Sequence, residues 1–250
     1  MILLVDESNR SIAEKYLAKP NPFACRILSQ LLAYGTGERF LEHWVQLEDN
    51  KPRAVISRMD GNITIFCENV NDELLEFIEA VGYNTILADK ELFPQYWSGE
   101  VLMKFVGKSE MENCDNIDFN PTIREIYSVL ERCRGEGFEV PDFDSFYPDM
   151  SHRVRHNLSR VLAYRLEGQA IACCMTSAET DNCAIISGVA CLPECRGKGY
   201  ASKLVAKIAE ALGDRDIFVF CREELVGFYN RLGFMFVNYV PNRFKINKNH

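Results

Sequence analysis

The stretch VACLPECRGKGYASKLVAKIAEAL, Val189–Leu212, places a glycine-rich turn between an apolar segment and a segment with helical periodicity. The turn contains Arg196, Gly197, Lys198 and Gly199. The N–H groups in the first turn of a helix lack intrahelical partners and lie at the positive end of the helix dipole. Glycine permits positive φ and close approach of the main chain, while arginine and lysine add charge. The pattern therefore predicts a phosphate-binding loop.

The spacing of this loop separates it from two common nucleotide-binding motifs. It matches neither the P-loop pattern G-x-x-x-x-G-K-[ST] nor the dinucleotide-binding pattern G-x-G-x-x-G. The fixed positions are instead Arg196, Gly199 and Ala201, in the pattern Arg-x-x-Gly-x-Ala. So short a pattern often arises by chance in a chain of ordinary glycine content. The elements around the loop must therefore decide its meaning.

Hydrophobic periodicity and turn residues place the loop within a repeated order of elements. Residues 1–98 predict a strand, two helices, a three-stranded meander, a helix capped by Asn71 or Asp72 and stopped at Gly82, and a short strand. Residues 99–250 repeat that order, followed by a last helix and a last strand. We predict two domains, 1–98 and 99–250, that share one fold, although no repeat is visible residue by residue.

Composition limits the classes of partner. The formal net charge of −8 argues against nucleic acid, because nucleic-acid binders usually carry a basic face. No apolar run approaches the length of a membrane span and the start MILLVDESNR lacks the features of a signal peptide, so we expect a cytoplasmic protein with no membrane partner. Ten cysteines without a C-x-x-C pair are expected to be reduced thiols. His152 and His156 have the spacing of a metal pair but no third ligand, so we expect a solvated helix face and no metal.

Two motifs between Ile185 and Tyr239 resemble those of one enzyme family. GVACLPECRGKGYASKLV resembles the acetyl-CoA pyrophosphate-binding motif of the GNAT superfamily of acyl-CoA-dependent N-acyltransferases, and FYNRLGF resembles its C-terminal motif. The resemblance implies an α/β (α+β) fold with two GNAT-like domains, each a mixed, mostly antiparallel twisted sheet flanked by helices. In residues 1–98, NITIFCENVNDELLEF lacks the glycines, so that domain is expected to be a degenerate copy without a cofactor site.

The resemblance also implies roles for the residues around the loop. In the family, the two central strands separate before the loop, and the pantetheine arm of acetyl-CoA lies along the freed strand edge. Here Val189, Ala190 and Cys191 would offer backbone groups to pantetheine, and Pro193 would end strand pairing at that point. The residues that would hold the pyrophosphate are Arg196, Gly197, Lys198, Gly199, Tyr200 and Ala201.

The implied reaction is direct transfer of acetyl from acetyl-CoA to a primary amine of a small molecule or peptide. A free alkylamine has a pKa of about 10.4, so the amine must lose a proton and the departing thiolate must be protonated or stabilised. Tyr229, in a helix predicted over 222–233, matches the family tyrosine near the thioester sulfur and is the candidate general acid. The alternative is that Tyr229 only packs with Phe228 and Leu232.

Two positions depart from the family pattern, and the general base is left open. Arg222 stands where many members have a cofactor-contacting asparagine, and Leu225 stands where alanine is usual. These departures keep a second function open, a non-catalytic acyl-CoA-binding sensor or scaffold. A water chain is one candidate for the base, and the other candidate positions are Glu179, Asp181, Ser187, Gly188 and Glu194.

The acceptor pocket is expected near the first two helices of the second half, which often contact substrate in the family. The segment EVPDFDSFYPDMSH, residues 139–152, is acidic and aromatic, which suits a cationic amine. It fits a capped helix start with a solvated face equally well. If it lines the pocket, the contributing residues would be Asp142, Asp144, Tyr147 and Asp149.

Overall fold

The structure of the protein is a computed structural model, which describes residues 1–92, 97–107, 116–135 and 138–244. The side chains of residues 97–99 and 241–244 are not among those described. Within these ranges the strands form two mostly antiparallel sheets, which the last strand joins into one mixed sheet of twelve strands, with helices on both faces. Within the described ranges, no helix is long and apolar enough to cross a lipid bilayer.

The chain forms its elements in two runs of similar order. The first run consists of β1 (Ile2–Leu4), α1 (Arg10–Leu17), α2 (Pro22–Tyr34), β2 (Leu41–Glu48), β3 (Lys51–Met59), β4 (Asn62–Cys67), α3 (Asp72–Val81) and β5 (Thr85–Ala88). The second run consists of β6 (Trp97–Phe105), β7 (Ile117–Asp118), α4 (Ile123–Arg132), α5 (Phe143–Arg155), β8 (Val161–Leu166), β9 (Gln169–Glu179), β10 (Cys183–Cys191), α6 (Tyr200–Leu212), β11 (Asp216–Arg222), α7 (Val226–Arg231) and β12 (Phe234–Phe244).

Local sequence signals start and stop the helices. The Asn71 side chain accepts a hydrogen bond from the Leu74 N–H and caps α3, and Gly82 ends that helix with φ +74°. Thr122 and Glu125 form a reciprocal capping box at the start of α4. These signals depend on a few neighbouring residues, which is why the sequence predicts them well.

The same strand pattern occurs twice in the sheet. In the first run β2, β3 and β4 are antiparallel neighbours, and β4 then pairs in parallel with β5 across the α3 crossover. In the second run β8, β9 and β10 are antiparallel neighbours, and β10 pairs in parallel with β11 across α6. The predicted fold class, two mostly antiparallel sheets flanked by helices, is confirmed. The division into domains 1–98 and 99–250 stays a prediction.

The final strand joins the two runs. The strand order is β1-β2-β3-β4-β5-β12-β6-β11-β10-β9-β8-β7. β12 pairs with β6 over Phe234–Pro241 and with β5 over Asn242–Phe244. The first and second runs therefore share one continuous hydrogen-bonded sheet.

Helix α2 of the first run packs on the sheet of the second run. Cys183 and Ile185 of β10 belong to one hydrophobic cluster with α2, while Ala184 and Ile186 belong to another with α4 and α6. Alternate residues of a strand face opposite sides of a sheet, so α2 covers one face and α4 and α6 cover the other. The Cys25 Sγ lies 3.3 Å from the Cys183 carbonyl oxygen, inside this contact.

The helix predicted over 222–233 is shorter in the structure. Arg222 ends β11, where it pairs opposite Glu100 of β6. A 3-10 turn, Glu223–Leu225, follows, and α7 extends only over Val226–Arg231. Strand pairing with a segment more than a hundred residues away takes Arg222 into the sheet, and local periodicity does not contain that information.

Gly107 and Gly233 bring two backbone segments into contact beside β6 and β12. A Cβ on Gly233 would lie 2.9 Å from the Gly107 Cα, and Gly233 has φ +87°. We expect Gly233→Ala to lower the free energy of unfolding by about 2–4 kcal/mol, because left-handed strain and overpacking act together. Urea unfolding measures the loss. Gly82→Ala is the control, since Gly82 has φ +74° and open space at its Cβ, and a loss as large in the control would contradict the steric part.

Candidate functional site

Strands β10 and β11 separate just before the glycine loop. They pair in parallel only over Cys183–Ile186 of β10. The pairing of β10 with β9 is irregular between Ser187 and Ala190. Gly188 lies in this bulge with φ +54°, and a Cβ there would be 2.7 Å from the Met175 Cε. The bulge thus requires glycine, and it marks the point where β10 leaves its neighbour β11.

The freed edge of β10 presents backbone groups at alternate residues. The Leu192 N–H donates to the Ile171 carbonyl of β9 at 2.9 Å. Because hydrogen-bonding groups alternate in direction along a strand, Ala190 also points toward β9, whereas Val189 and Cys191 point toward the gap left by β11. Of the three predicted pantetheine-binding residues, Val189 and Cys191 therefore have their backbone N–H and C=O groups on the side of β10 that faces away from β9.

The loop itself turns β10 into α6 through two glycines in the left-handed region. Gly197 and Gly199 both have φ +78°, and no described atom beyond their chain neighbours lies within 4 Å of a Cβ built on either. Gly199 is the N-cap of α6 and provides no side-chain hydrogen bond to the helix. The first-turn N–H groups of α6 are consequently available to an anion.

The freed edge, the loop and α7 enclose a cavity of about 450 Å³, called here the donor cavity. Two predicted site residues are not on its wall, Ala190, which is buried in the ladder with β9, and Lys198, which is exposed. The predicted site residues on the wall are Val189, Cys191, Arg196, Gly197, Gly199, Tyr200, Ala201 and Tyr229. The other wall residues are Cys195, Ser202, Leu225, Phe228 and Arg231.

Arg196 is tied to the strand that precedes it. Its Nε donates to the Cys191 carbonyl oxygen at 3.0 Å, across the base of the loop. This bond fixes the guanidinium beside Gly197 on the wall of the donor cavity. A cation held in this place complements a phosphate bound at the start of α6.

Tyr229 lies on the wall of the donor cavity opposite the loop. It is 4% exposed, and its ring packs against Phe228 and Phe234 at centroid distances of 5.0 and 5.5 Å. Burial raises the pKa of the phenol above its ordinary value, so the hydroxyl keeps its proton at neutral pH. This hydroxyl has no hydrogen-bond partner in the described part of the chain. It can therefore donate to a ligand in the cavity.

The two departures from the family pattern fall in different places. Leu225 lies on the wall of the donor cavity, so the segment before α7 does contribute to it. Arg222 is not on that wall, and its Nη1 forms an ion pair with Glu224 at 2.7 Å. The larger leucine side chain adds apolar surface to the cavity.

The candidate bases are mostly engaged elsewhere. Glu194 forms an ion pair with Arg132 at 2.6 Å, and Glu179 is buried against the Arg160 guanidinium at 2.9 Å. Asp181 is exposed in the turn between β9 and β10. The Ser187 hydroxyl is buried beside the bulge without a partner among the described residues. Within the described ranges, the wall of the donor cavity holds no carboxylate.

A second cavity of about 400 Å³, called here the acceptor cavity, lies on the other side of the bulge. Gly188 lines it, while the next residue, Val189, lines the donor cavity. Its wall combines α2, β3 and β4 of the first run with α5 and β9 of the second run. The two cavities thus approach each other at Gly188 and Val189.

The acidic segment, residues 139–152, is expected from the sequence either to line an amine pocket or to form a capped helix start with a solvated face, and the structure shows some of each. Asp142 caps α5 by accepting from the Ser145 N–H at 3.0 Å, and Asp144 is exposed. The ring of Tyr147 lies 4.8 Å from the Arg124 guanidinium. Asp149 alone of the four predicted residues reaches the acceptor cavity.

Helix α3 occupies in the first run the place that α6 occupies in the second, and its N-terminus is already satisfied. The Asn71 oxygen accepts from the Leu74 N–H at 2.9 Å, and Asp72 and Glu73 add negative charge to the first turn. A capped and acidic helix start does not attract a phosphate. That residues 1–98 form a degenerate copy without a cofactor site stays a prediction, and the capped start of α3 is in keeping with it.

His152 contacts the first run of elements and is not part of a solvated face. Its Nε2 lies 2.8 Å from the Ala33 carbonyl oxygen, and its ring stacks on Tyr34 at 4.8 Å. The ring of His156 lies 4.4 Å from that of His152. The expectation of a solvated helix face is therefore corrected at His152, because α5 packs against the end of α2.

Comparisons with known proteins agree with this geometry. The separated strand pair, the uncapped glycine loop and the cavity between them are the features that the resemblance to the GNAT superfamily predicts. Residues 123–234 match the family model of the acetyltransferase (GNAT) family. This part of the chain therefore belongs to the GNAT acetyltransferase family. No curated protein matched the chain.

Solved structures share the fold over nearly the whole chain. A GCN5-related N-acetyltransferase from Sphaerobacter thermophilus is 13% identical with a TM-score of 0.58, covering 98% of this chain and 95% of its own. A putative GNAT acetyltransferase from Novosphingobium aromaticivorans is 14% identical with a TM-score of 0.57, covering 89% and 96%. A tandem GNAT protein from the clavulanic acid biosynthesis pathway is 11% identical with a TM-score of 0.57, covering 96% and 95%.

Proposed function

We propose that the protein is an acyl-CoA-dependent N-acyltransferase that transfers acetyl from acetyl-CoA to a primary amine. The observation that carries the proposal is the donor cavity, where an open strand edge, an uncapped helix start and a protonated tyrosine face one space. These groups match the amide, phosphate and sulfur parts of an acyl-CoA. Gly197 and Gly199 leave room for a phosphate where any side chain would intrude.

Each wall of the cavity has a separate task in this proposal. Val189 and Cys191 bind the amides of the pantetheine arm as an added strand would. The first-turn N–H groups of α6 and the Arg196 guanidinium bind the pyrophosphate. The arm then points along β10 toward the bulge at Gly188. The thioester is thereby held between Tyr229 and the mouth of the acceptor cavity.

The transfer requires two proton movements. The amine nitrogen attacks the thioester carbonyl carbon, the carbon–sulfur bond breaks, and the sulfur leaves with its electron pair. The amine proton passes to water. The described wall of the donor cavity holds no carboxylate, and on the acceptor-cavity wall Asp149 is paired with Arg153, while Asp60 and Glu139 lie at the exposed rim. The Tyr229 hydroxyl stabilises the leaving sulfur by donating a hydrogen bond. Because burial raises the pKa of this phenol further above that of a thiol, complete transfer of its proton to the thiolate would be unfavourable. The Tyr229 hydroxyl therefore acts as a hydrogen-bond donor.

Turnover separates this proposal from the alternative, a non-catalytic acyl-CoA-binding sensor. The enzyme is incubated with acetyl-CoA and a panel of primary amines, and the acetylated amine is measured by mass spectrometry. A colour assay for free thiol is less suitable, because Cys191 and Cys195 are partly exposed at the donor cavity and would react. We expect acetylated product that depends on protein concentration. Tight binding of acetyl-CoA with no product from any amine would favour the sensor.

The acceptor of this proposed enzyme is a small molecule or an exposed amino group of a peptide. The acceptor cavity of about 400 Å³ lies within the range of small-molecule sites. The net charge of −8 favours neither nucleic acid nor an anionic membrane as a partner. We propose a cytoplasmic location and a tandem arrangement in which the first domain closes the acceptor side.

A further inference from the structure

The acceptor cavity contains a cation, Arg26, that has no bonded partner among the described residues. Arg26 of α2 lies on its wall and is only partly exposed. In the described part of the chain, its guanidinium has neither a hydrogen bond nor an ion pair. Burial lowers the pKa of Arg26 and the charge of Arg153 lowers it further, whereas Glu100 and Asp149 act in the opposite direction. A half-buried cation without a bonded partner is costly unless a ligand completes it.

The other interior charges of this cavity are already engaged. Arg153 is 5% exposed, and its Nε donates to the Asp149 Oδ1 while its Nη1 donates to the Ser177 carbonyl, both at 2.8 Å. Asp149 also accepts a hydrogen bond from the Tyr34 hydroxyl. This pair is therefore neutral and bonded on both sides. Among the described charged residues on this wall, Arg26 is the interior one whose guanidinium has no bonded partner.

The remaining charged residues on the wall lie at its exposed rim. Asp60, from the turn between β3 and β4, and Glu139, before α5, line the cavity and are exposed to solvent. Water and counterions screen exposed charges. The cavity thus offers an anion-binding interior beneath an acidic rim, a combination suited to a molecule with charges of both signs.

We propose that the acceptor is an amino acid or a related amino carboxylic acid, and that Arg26 binds its carboxylate. This inference rests on the proposed acyl transfer and specifies its substrate class. A guanidinium binds a carboxylate through two parallel hydrogen bonds, which fixes direction as well as affinity. With the carboxylate on Arg26, the amine of the same molecule points to the bulge at Gly188, next to Val189 of the donor cavity.

The test compares acids with their amides. Glycine, alanine and phenylalanine are each paired with the corresponding primary amide, and acetylated product is measured by mass spectrometry at several concentrations. We expect kcat/KM for the acids to exceed that for the amides by about 10- to 100-fold, the effect of a hydrogen bond between charged groups. The less basic amine of the amide is more often unprotonated, so intrinsic reactivity works against this result.

Variants locate the preference at Arg26. Arg26→Gln should raise KM for the acids by about 10- to 100-fold and leave the amides unchanged, and Arg26→Lys should recover part of the loss. Lys15→Gln is the matched control, because it removes one positive charge from an exposed position of α1 that does not line the acceptor cavity. Amides used as well as acids, or a preference for acids that persists in Arg26→Gln, would overturn the inference while the proposed transferase activity stands.

A binding measurement keeps the inference testable if no transfer occurs. The melting temperature is recorded with each acid and each amide, in the wild-type protein and in Arg26→Gln, with acetyl-CoA present throughout. Stabilisation by acids that is lost in Arg26→Gln supports the carboxylate site even if the transferase proposal fails. Equal melting temperatures with acids, with amides and without either overturn it.

Discussion

Replacement of Gly199 by tryptophan is expected to raise the dissociation constant for acetyl-CoA by about 100-fold or more. Gly199 lies on the wall of the donor cavity, and a Cβ added there would meet open space, so we expect an indole at this position to occupy the place proposed for the pyrophosphate. It also blocks the first-turn N–H groups of α6. The loss of two hydrogen bonds to a charged phosphate is worth roughly this factor. Calorimetric titration of acetyl-CoA into both proteins measures the effect.

The control for this experiment lies at the other end of the same helix. Gly213 follows α6 with φ +65° and has no described atom within 4 Å of its Cβ, but it is not on the cavity wall. Gly213→Trp imposes left-handed strain of about 1–2 kcal/mol, as Gly199→Trp does, so both variants lose stability. Only Gly199→Trp should lose binding. Equal affinities in the two variants would show that the loop does not hold the acyl donor.

The sequence predicts best what depends on neighbouring residues. The cap at Asn71, the stop at Gly82 and the loop at Gly197 and Gly199 all follow from residue types within a few positions. Each of them appears in the structure as a side-chain bond or a positive φ. Hydrophobic periodicity likewise locates most helices and strands, because one face of each element is buried.

Features that depend on distant pairing are not visible in this way. Strand β12 pairs with strands of both runs, and Arg222 is part of β11. Both features arise from pairing with strands elsewhere in the chain. The acceptor cavity is the most important omission, because Arg26 and Gly188 are far apart in sequence and meet only when α2 packs on the second run. One signal was available. Arg26 is the sole charged residue of α2, within PFACRILSQLLAY, and a lone arginine on a largely buried helix marks a functional candidate.

The two helix starts that follow parallel-paired strands differ in their caps. Both α3 and α6 connect a pair of parallel strands, and both begin where a chain leaves the sheet. Asn71 accepts a hydrogen bond from one first-turn N–H group of α3, that of Leu74, whereas Gly199 provides no such bond to α6. With asparagine at the cap of α3 and glycine at that of α6, the proposed anion site is expected at α6 and not at α3.

The second prediction in the donor cavity concerns Tyr229. Tyr229→Phe should lower kcat by about 10- to 100-fold while the dissociation constant of acetyl-CoA stays within about twofold, because the hydroxyl acts on the leaving sulfur and not on the bound arm. The hydroxyl has no partner within the described ranges, so its removal breaks no bond of the folded protein. We therefore expect the free energy of unfolding to stay the same or to rise slightly.

Tyr16→Phe is the control that distinguishes chemistry from packing. Tyr16 is also a buried tyrosine, and burial raises the pKa of its phenol as well, but its hydroxyl donates to the Arg53 carbonyl at 2.6 Å and lies far from the donor cavity. Its replacement should cost about 1 kcal/mol of stability and leave kcat unchanged. Tyr229→Phe is thus expected to lower kcat without a loss of stability, and Tyr16→Phe to lower stability without a loss of kcat. If Tyr229→Phe keeps kcat within about twofold, Tyr229 is a packing residue, and the leaving sulfur must take its proton from water.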